Sequence, residues 1–316
     1  MHSDRTCKCT SWYSLKGGIL MKIIKMLVLL IFSVLLVGIS AFCKLNSIST
    51  LGNLLAGALL PYLFLSIIDL TDNENWKSSQ RKLKRAGLLQ KDTIVRISFA
   101  YLFQIKVDGK YFLVQNNRTK KYQPVGGAYK LNEREQKYLS DNIPFENDDR
   151  IEVNKITKLD YRLLIKNKYL RKFVKRFNTT NDRENFSDLS REFIEEIFST
   201  NILDRNAFGQ LSYKYIGRHM TKVEYSKVFS HYELLLADII QVQLSEQQED
   251  LFRGLMKENS DKYIFATAEQ INSLGVECKD NQFNDNIANH TPKILNKNIE
   301  KLIQRKKYKD IIKIPL

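Results

Sequence analysis

Two uncharged apolar runs near the N-terminus set the first constraint on this chain. Met26 to Cys43 and Leu51 to Ile68 are 18 residues each and are dominated by Leu, Ile, Val and Phe. As helices each would extend about 27 Å, close to the thickness of a bilayer core. Only the polar stretch Lys44 to Thr50 separates them. In lipid a backbone must satisfy its own hydrogen bonds, so two such runs joined by a short turn predict an antiparallel transmembrane hairpin. Lys16, Lys22 and Lys25 precede the first run, and Lys77, Arg81, Lys82, Lys84 and Arg85 follow the second, whereas the turn carries only Lys44. This asymmetry predicts a multi-pass protein of the cell inner membrane with both termini in the cytoplasm. Gly52, Ala56 and Gly57 give the second run a small-residue face suited to self-association in the lipid bilayer, hence to a homo-oligomer. The organisation read from these features is a tail or start-site extension (1–20), a helical hairpin (21–70), a juxtamembrane linker (71–91) and one α/β domain (92–316).

The formal charge is +15. It is concentrated: residues 1–90 hold 11 Lys and Arg against 4 Asp and Glu, and residues 150–180 hold 10 against 2. Such patches attract nucleic acid, nucleotides or anionic lipid, or they are simply solvated faces. Cys7, Cys9, Cys43 and Cys278 have no spacing that suggests a zinc site or a disulfide framework.

From Thr93 the pattern changes to period two. Thr93 to Val107 reads as strand, Asp108-Gly109 as a hairpin turn and Lys110 to Gln115 as the returning strand. Tyr122-Gln-Pro-Val-Gly-Gly127 follows as a Gly-Gly turn. Asp188 to Phe198 reads as a helix with Leu189, Phe193 and Ile197 on its buried face. Glu192, Glu195 and Glu196 then fall on the other side at i, i+3, i+4. Like charges at this spacing repel, and a solvated acidic face is the ordinary explanation. Hard oxygen ligands so placed also suit Mg²⁺, which would offset the repulsion.

At these residues the sequence resembles the NUDIX hydrolases. Gly127 followed after five residues by Glu133 matches the first half of that family's box, and Arg191-Glu192-Phe193-Ile194-Glu195-Glu196 matches the second. The halves are separated by residues 134–190 instead of seven residues, and Phe198 stands where the family has glycine. The split box behind two apolar runs is similar to NUDIX proteins associated with the nucleotidyltransferases (CD-NTases) of CBASS antiphage operons. The resemblance covers most of residues 93–295, including Gly217-Arg218-His219 and His231 to Asp238. It implies a membrane-anchored α/β protein whose hairpin precedes a NUDIX-type α/β/α sandwich with an insertion. It also implies Mg²⁺ held by Glu192, Glu195 and Glu196 near the Gly127 carbonyl. Arg191 and Glu192 would then be catalytic, with Arg191 holding Glu192 against water.

Three functions are compatible with these features. One is a CBASS effector that senses a cyclic oligonucleotide made by a CD-NTase and disrupts the inner membrane through its hairpin. Another is a membrane-tethered, Mg-dependent NUDIX hydrolase of a nucleoside diphosphate derivative. The third is an anchored protein-interaction module. Ligand contacts are expected from Arg218 and His219, which could also form a structural pair. Further contacts are expected from Lys172, Lys175 and Arg176, whose basic heads alternate with Phe173 and Phe177 in the interrupting segment.

Overall fold

The alternation read in Thr93–Val107 is realised as an eleven-residue strand in the computed structural model. The structure describes residues 75–148, 159–279, 282–295, 302–303, 308 and 310–316, with scattered positions between 27 and 62. In β1 (Ile94–Gln104), Val95, Ile97, Phe99, Tyr101 and Phe103 are fully buried on one face. Arg96, Ser98, Ala100, Leu102 and Gln104 take the other, as the period of two requires. After β2 (Lys106–Val107), Asp108 and Gly109 both have positive φ, 46° and 82°, the conformation of a two-residue hairpin turn. The chain returns as β3 (Lys110–Gln115), then β4 (Tyr122–Gln123) and β5 (Gly126–Ala128).

The interrupting residues 134–190 do not form a separate appendage. Helix α1 (Trp76–Arg85) precedes β1; α2 (Glu133–Asn142) leads into β6 (Phe145–Asn147) and β7 (Arg162–Lys166). β7 lies antiparallel against β1, with Ser98 opposite Arg162. Helix α3 (Leu170–Thr179) then covers the aromatic face of β1. Phe177 meets Phe99, Tyr129 and Tyr161 at ring-centroid distances of 4.7, 5.4 and 5.0 Å. The basic segment is therefore strand up to Lys166, because Leu163, Leu164 and Ile165 are needed inside the sheet, and helix only from Leu170.

The remaining elements are α4 (Arg191–Phe193), α5 (Arg205–Phe208), β8 (Gln210–Met220), β9 (Glu224–Ser226), β10 (His231–Val242) and α6 (Glu246–Leu255). They are followed by β11 (Tyr263–Ala266), α7 (Ala268–Asn272), β12 (Glu277–Lys279), β13 (Gln282–Asn284) and β14 (Ile311–Pro315). Ser245 and Gln248 close the capping box that opens α6. The main sheet runs β14-β8-β10-β1-β7-β6, with β5 also on β1 and β9 on β10; β1 and β10 are parallel. A second sheet, β11-β3-β2 with β4 on β3, packs through Leu113 and Tyr111 against Leu102 and Ile239 of the first. The NUDIX-like region is thus a mixed α/β fold.

The membrane-anchored architecture and inner-membrane location expected from the apolar runs are overturned. Among the described residues, no helix is long and apolar enough to cross a membrane. Helical positions are described only at 27–28, 30–32, 34–35 and 38 in the first run, and at 57–59 and 61–62 in the second. Met26, Cys43, Leu51 and Ile68, which bound the expected spans, lie outside the described residues. The chain divides into two units, Met1–Ser78 and Ser79–Leu316.

Candidate functional site

Arg191 organises the box. Its guanidinium donates to Glu192 Oε1 at 2.7 Å, to both carboxylate oxygens of Glu184 at 3.1 and 3.2 Å, and to the Ala128 carbonyl at 2.9 Å. Glu195 lies 3.4 Å away and is largely exposed. Burial alone would weaken the charged form of Arg191, but Glu192, Tyr101 and Glu184 outweigh it and hold the guanidinium more firmly protonated than usual. Glu184 is the residue sequence reasoning missed. It comes from inside the interrupting segment and also accepts from the Tyr101 hydroxyl and the Lys130 amide. No spacing marks it in the sequence.

The three box glutamates do not stand in a row. Only Arg191–Phe193 is α-helical; Ile194–Phe198 is a π-turn, closed by Ser199 N–H donating to the Ile194 carbonyl at 2.9 Å. Such turns interrupt α-helices and recur at functional sites. Phe198, at the expected glycine position, is buried against Phe193 and Phe208. Glu196 turns inward, where Gly126 N–H donates to its Oε2 at 2.8 Å and Gln123 Nε2 approaches its Oε1 at 3.4 Å. Burial, aided by the Glu192 charge, pushes the Glu196 carboxyl up to about 8, and burial raises Glu192 as well. A Cβ on Gly127 would collide with the Glu192 carboxylate, and Gly126, at φ +145°, presses against the Tyr101 carbonyl. The two glutamates therefore converge on adjacent glycines.

Among the described residues, no three His, Cys, Asp or Glu side chains are grouped as a metal-ligand set. The donors nevertheless fit a hard divalent cation in kind. Two largely buried carboxyls raised by burial, one of them further raised by the other's charge, are the electrostatic condition a cation relieves. Glu192 and Glu196 are the residues that would hold it.

The other expected site residues lie elsewhere. Arg218 points to the aromatic face and forms a buried pair with Asp238, donating through Nε and Nη2 at 2.7 and 2.6 Å. Despite burial, Arg218 keeps the Asp238 carboxyl below its usual range. His219 lies on the opposite face, with Nε2 donating to the Lys293 carbonyl at 2.9 Å. Arg176 ties the interrupting segment together, donating to Glu135 from Nε at 2.9 Å and from Nη2 at 2.5 Å. Lys172 and Lys175 are exposed on α3.

The family model described as the SMODS-associated NUDIX domain matches residues 94–295. No curated protein matches the chain.

Proposed function

Because this chain belongs to the SMODS-associated NUDIX domain family, we propose that it is the nucleotide-binding component of a CBASS antiphage effector, receiving a cyclic oligonucleotide from a CD-NTase and releasing it unchanged. The observation that carries this reading is the commitment of the box carboxylates. Glu192 and Glu195 are held by Arg191, and Glu196 is held by the Gly126 amide. Hydrolysis needs a water activated and aligned on phosphorus, whereas recognition needs only donors and charge. A divalent cation, held by Glu192 and Glu196, would supply positive charge to offset that of a bound phosphate. A receptor also gains from leaving its signal intact, since occupancy sets the population of the bound state.

The test is incubation of the full chain with cyclic dinucleotides and Mg²⁺, followed by chromatography of bound and free material. Stoichiometric recovery of intact ligand supports the receptor. Multiple turnover to linear products establishes the second reading, a Mg-dependent hydrolase. That reading is favoured by the intact Arg191, Glu192, Glu195 and Glu196, and by a Glu196 carboxyl at about 8, within range of proton transfer near neutral pH.

A further inference from the structure

Arg162, His290 and Lys293 gather beside an open patch of the main sheet, and the box accounts for none of them. Residues opposite one another on paired strands project to the same face. Arg162 is opposite Ser98; Ala100 is opposite both Ala237 and Ala128; Ala237 is opposite His219. All lie on the face turned away from α3. β1 is central in its sheet, yet Ser98 and Ala100 are half-exposed, while Phe99 and Tyr101 on the reverse are sealed. Solvent therefore reaches the floor of the sheet here. It is stopped two residues on, where Leu102 enters the core shared with the second sheet.

A 3-10 turn, Thr291–Ile294, borders this floor. It is fastened to the sheet by the Gln104 amide on the Ile294 carbonyl and by His219 on the Lys293 carbonyl. Among the described residues the Lys293 ammonium has no carboxylate partner, and burial pushes its pKa down. Asp160, the acid paired with Arg162 at 3.2 Å, is shared with Lys130. Burial, then the charges of Lys293 and Arg162, hold His290 at about 4, so at neutral pH its imidazole is an uncharged N–H donor. The Thr291 hydroxyl, in the same turn, is buried with no hydrogen-bond partner among the described residues. Among the described residues, the Lys293 ammonium and the Thr291 hydroxyl thus stand without an acceptor beside a floor of small side chains. An anion with several oxygens would relieve that imbalance.

We propose that Arg162, His290 and Lys293, over the floor of Ser98 and Ala100, form a subsite for a phosphate group of the nucleotide ligand. The assignment rests on the nucleotide-binding reading above and adds where the phosphate sits. His219 is a positioning residue: it anchors the turn that carries Lys293.

The experiment is a titration of the histidine imidazole NMR signals of the full chain, first with inorganic pyrophosphate, then with cyclic di-AMP and cyclic di-GMP. Pyrophosphate should move the His290 signal in the wild type. Lys293→Met and Arg162→Met should weaken this binding about tenfold each, and Lys293→Arg should restore most of it. Lys293→Met removes a half-buried cation with no ion-pair partner among the described residues, so its thermal midpoint should not fall. An unmoved His290 signal, or variants that bind as the wild type does, overturns the subsite. If pyrophosphate behaves as expected but neither cyclic dinucleotide competes, the subsite stands and the cyclic-nucleotide reading loses its support.

Discussion

On one face of β1, Phe99, Tyr101 and Phe103 are buried under α3, α4 and Tyr213; on the other, one residue away, Ser98 and Ala100 lie half-open to water. The sealed face owes its cover to the segment that interrupts the box. That segment supplies Phe173, Phe177 and Tyr161 to the core and Glu184 to Arg191. On the open face stand Arg162 and the turn that carries His290 and Lys293. The interruption is therefore part of the structural frame and not an appendage to it.

The contrast can be broken hardest from the sealed side. Phe177→Ala should cost about 4 kcal/mol of unfolding free energy in a denaturant titration, because it opens a cavity among three aromatic rings. Asp238→Asn should cost about 3 to 4 kcal/mol by the same measurement, because Arg218 keeps its charge and loses its buried partner. Glu196→Gln tests the seam between the faces. A carboxyl raised to about 8 when folded contributes stability that is full below its unfolded value near 4.3 and is lost as pH rises towards 8. Between pH 5 and pH 7.5 the wild type should lose about 3 kcal/mol relative to Glu196→Gln, which has no such proton to release. Equal slopes for the two proteins would remove the buried-carboxyl account. Ser98→Ala, on the open floor, should shift stability by less than about 0.5 kcal/mol. A larger loss would mean the floor is structural after all.

Local pattern revealed much of the frame. The period of two identifies β1 and Asp108-Gly109 the β2–β3 hairpin, although the run read as one strand divides at Ile105 between the two sheets, and Ser245 with Gln248 marks the start of α6. The box residues Arg191, Glu192 and Glu196 do meet at the Gly-Gly turn. What the sequence hid depends on distance or on backbone geometry. The i, i+3, i+4 spacing of the glutamates presumes an α-helix, and the π-turn at Ile194–Phe198 turns Glu196 inward while Glu195 stays out. Leu163 to Ile165 look helical beside Lys166 and Lys168 until the sheet claims them. Glu184, Arg162, His290 and Lys293 carry no motif. They matter through strand register and through a turn more than 100 residues along the chain. The apolar runs at 26–43 and 51–68 show the opposite error: composition alone prescribed a spanning hairpin that the described helices do not provide.

The parallel pairing of β1 with β10 also fixes an order of assembly. Arg96 and Glu233, which face each other across it, are 137 residues apart. Strands β2 to β9 are thus all synthesised between the central strand and this partner. A nascent chain carries β1 without this partner until residues 232–241 have been made, and pairing at such sequence separation slows folding.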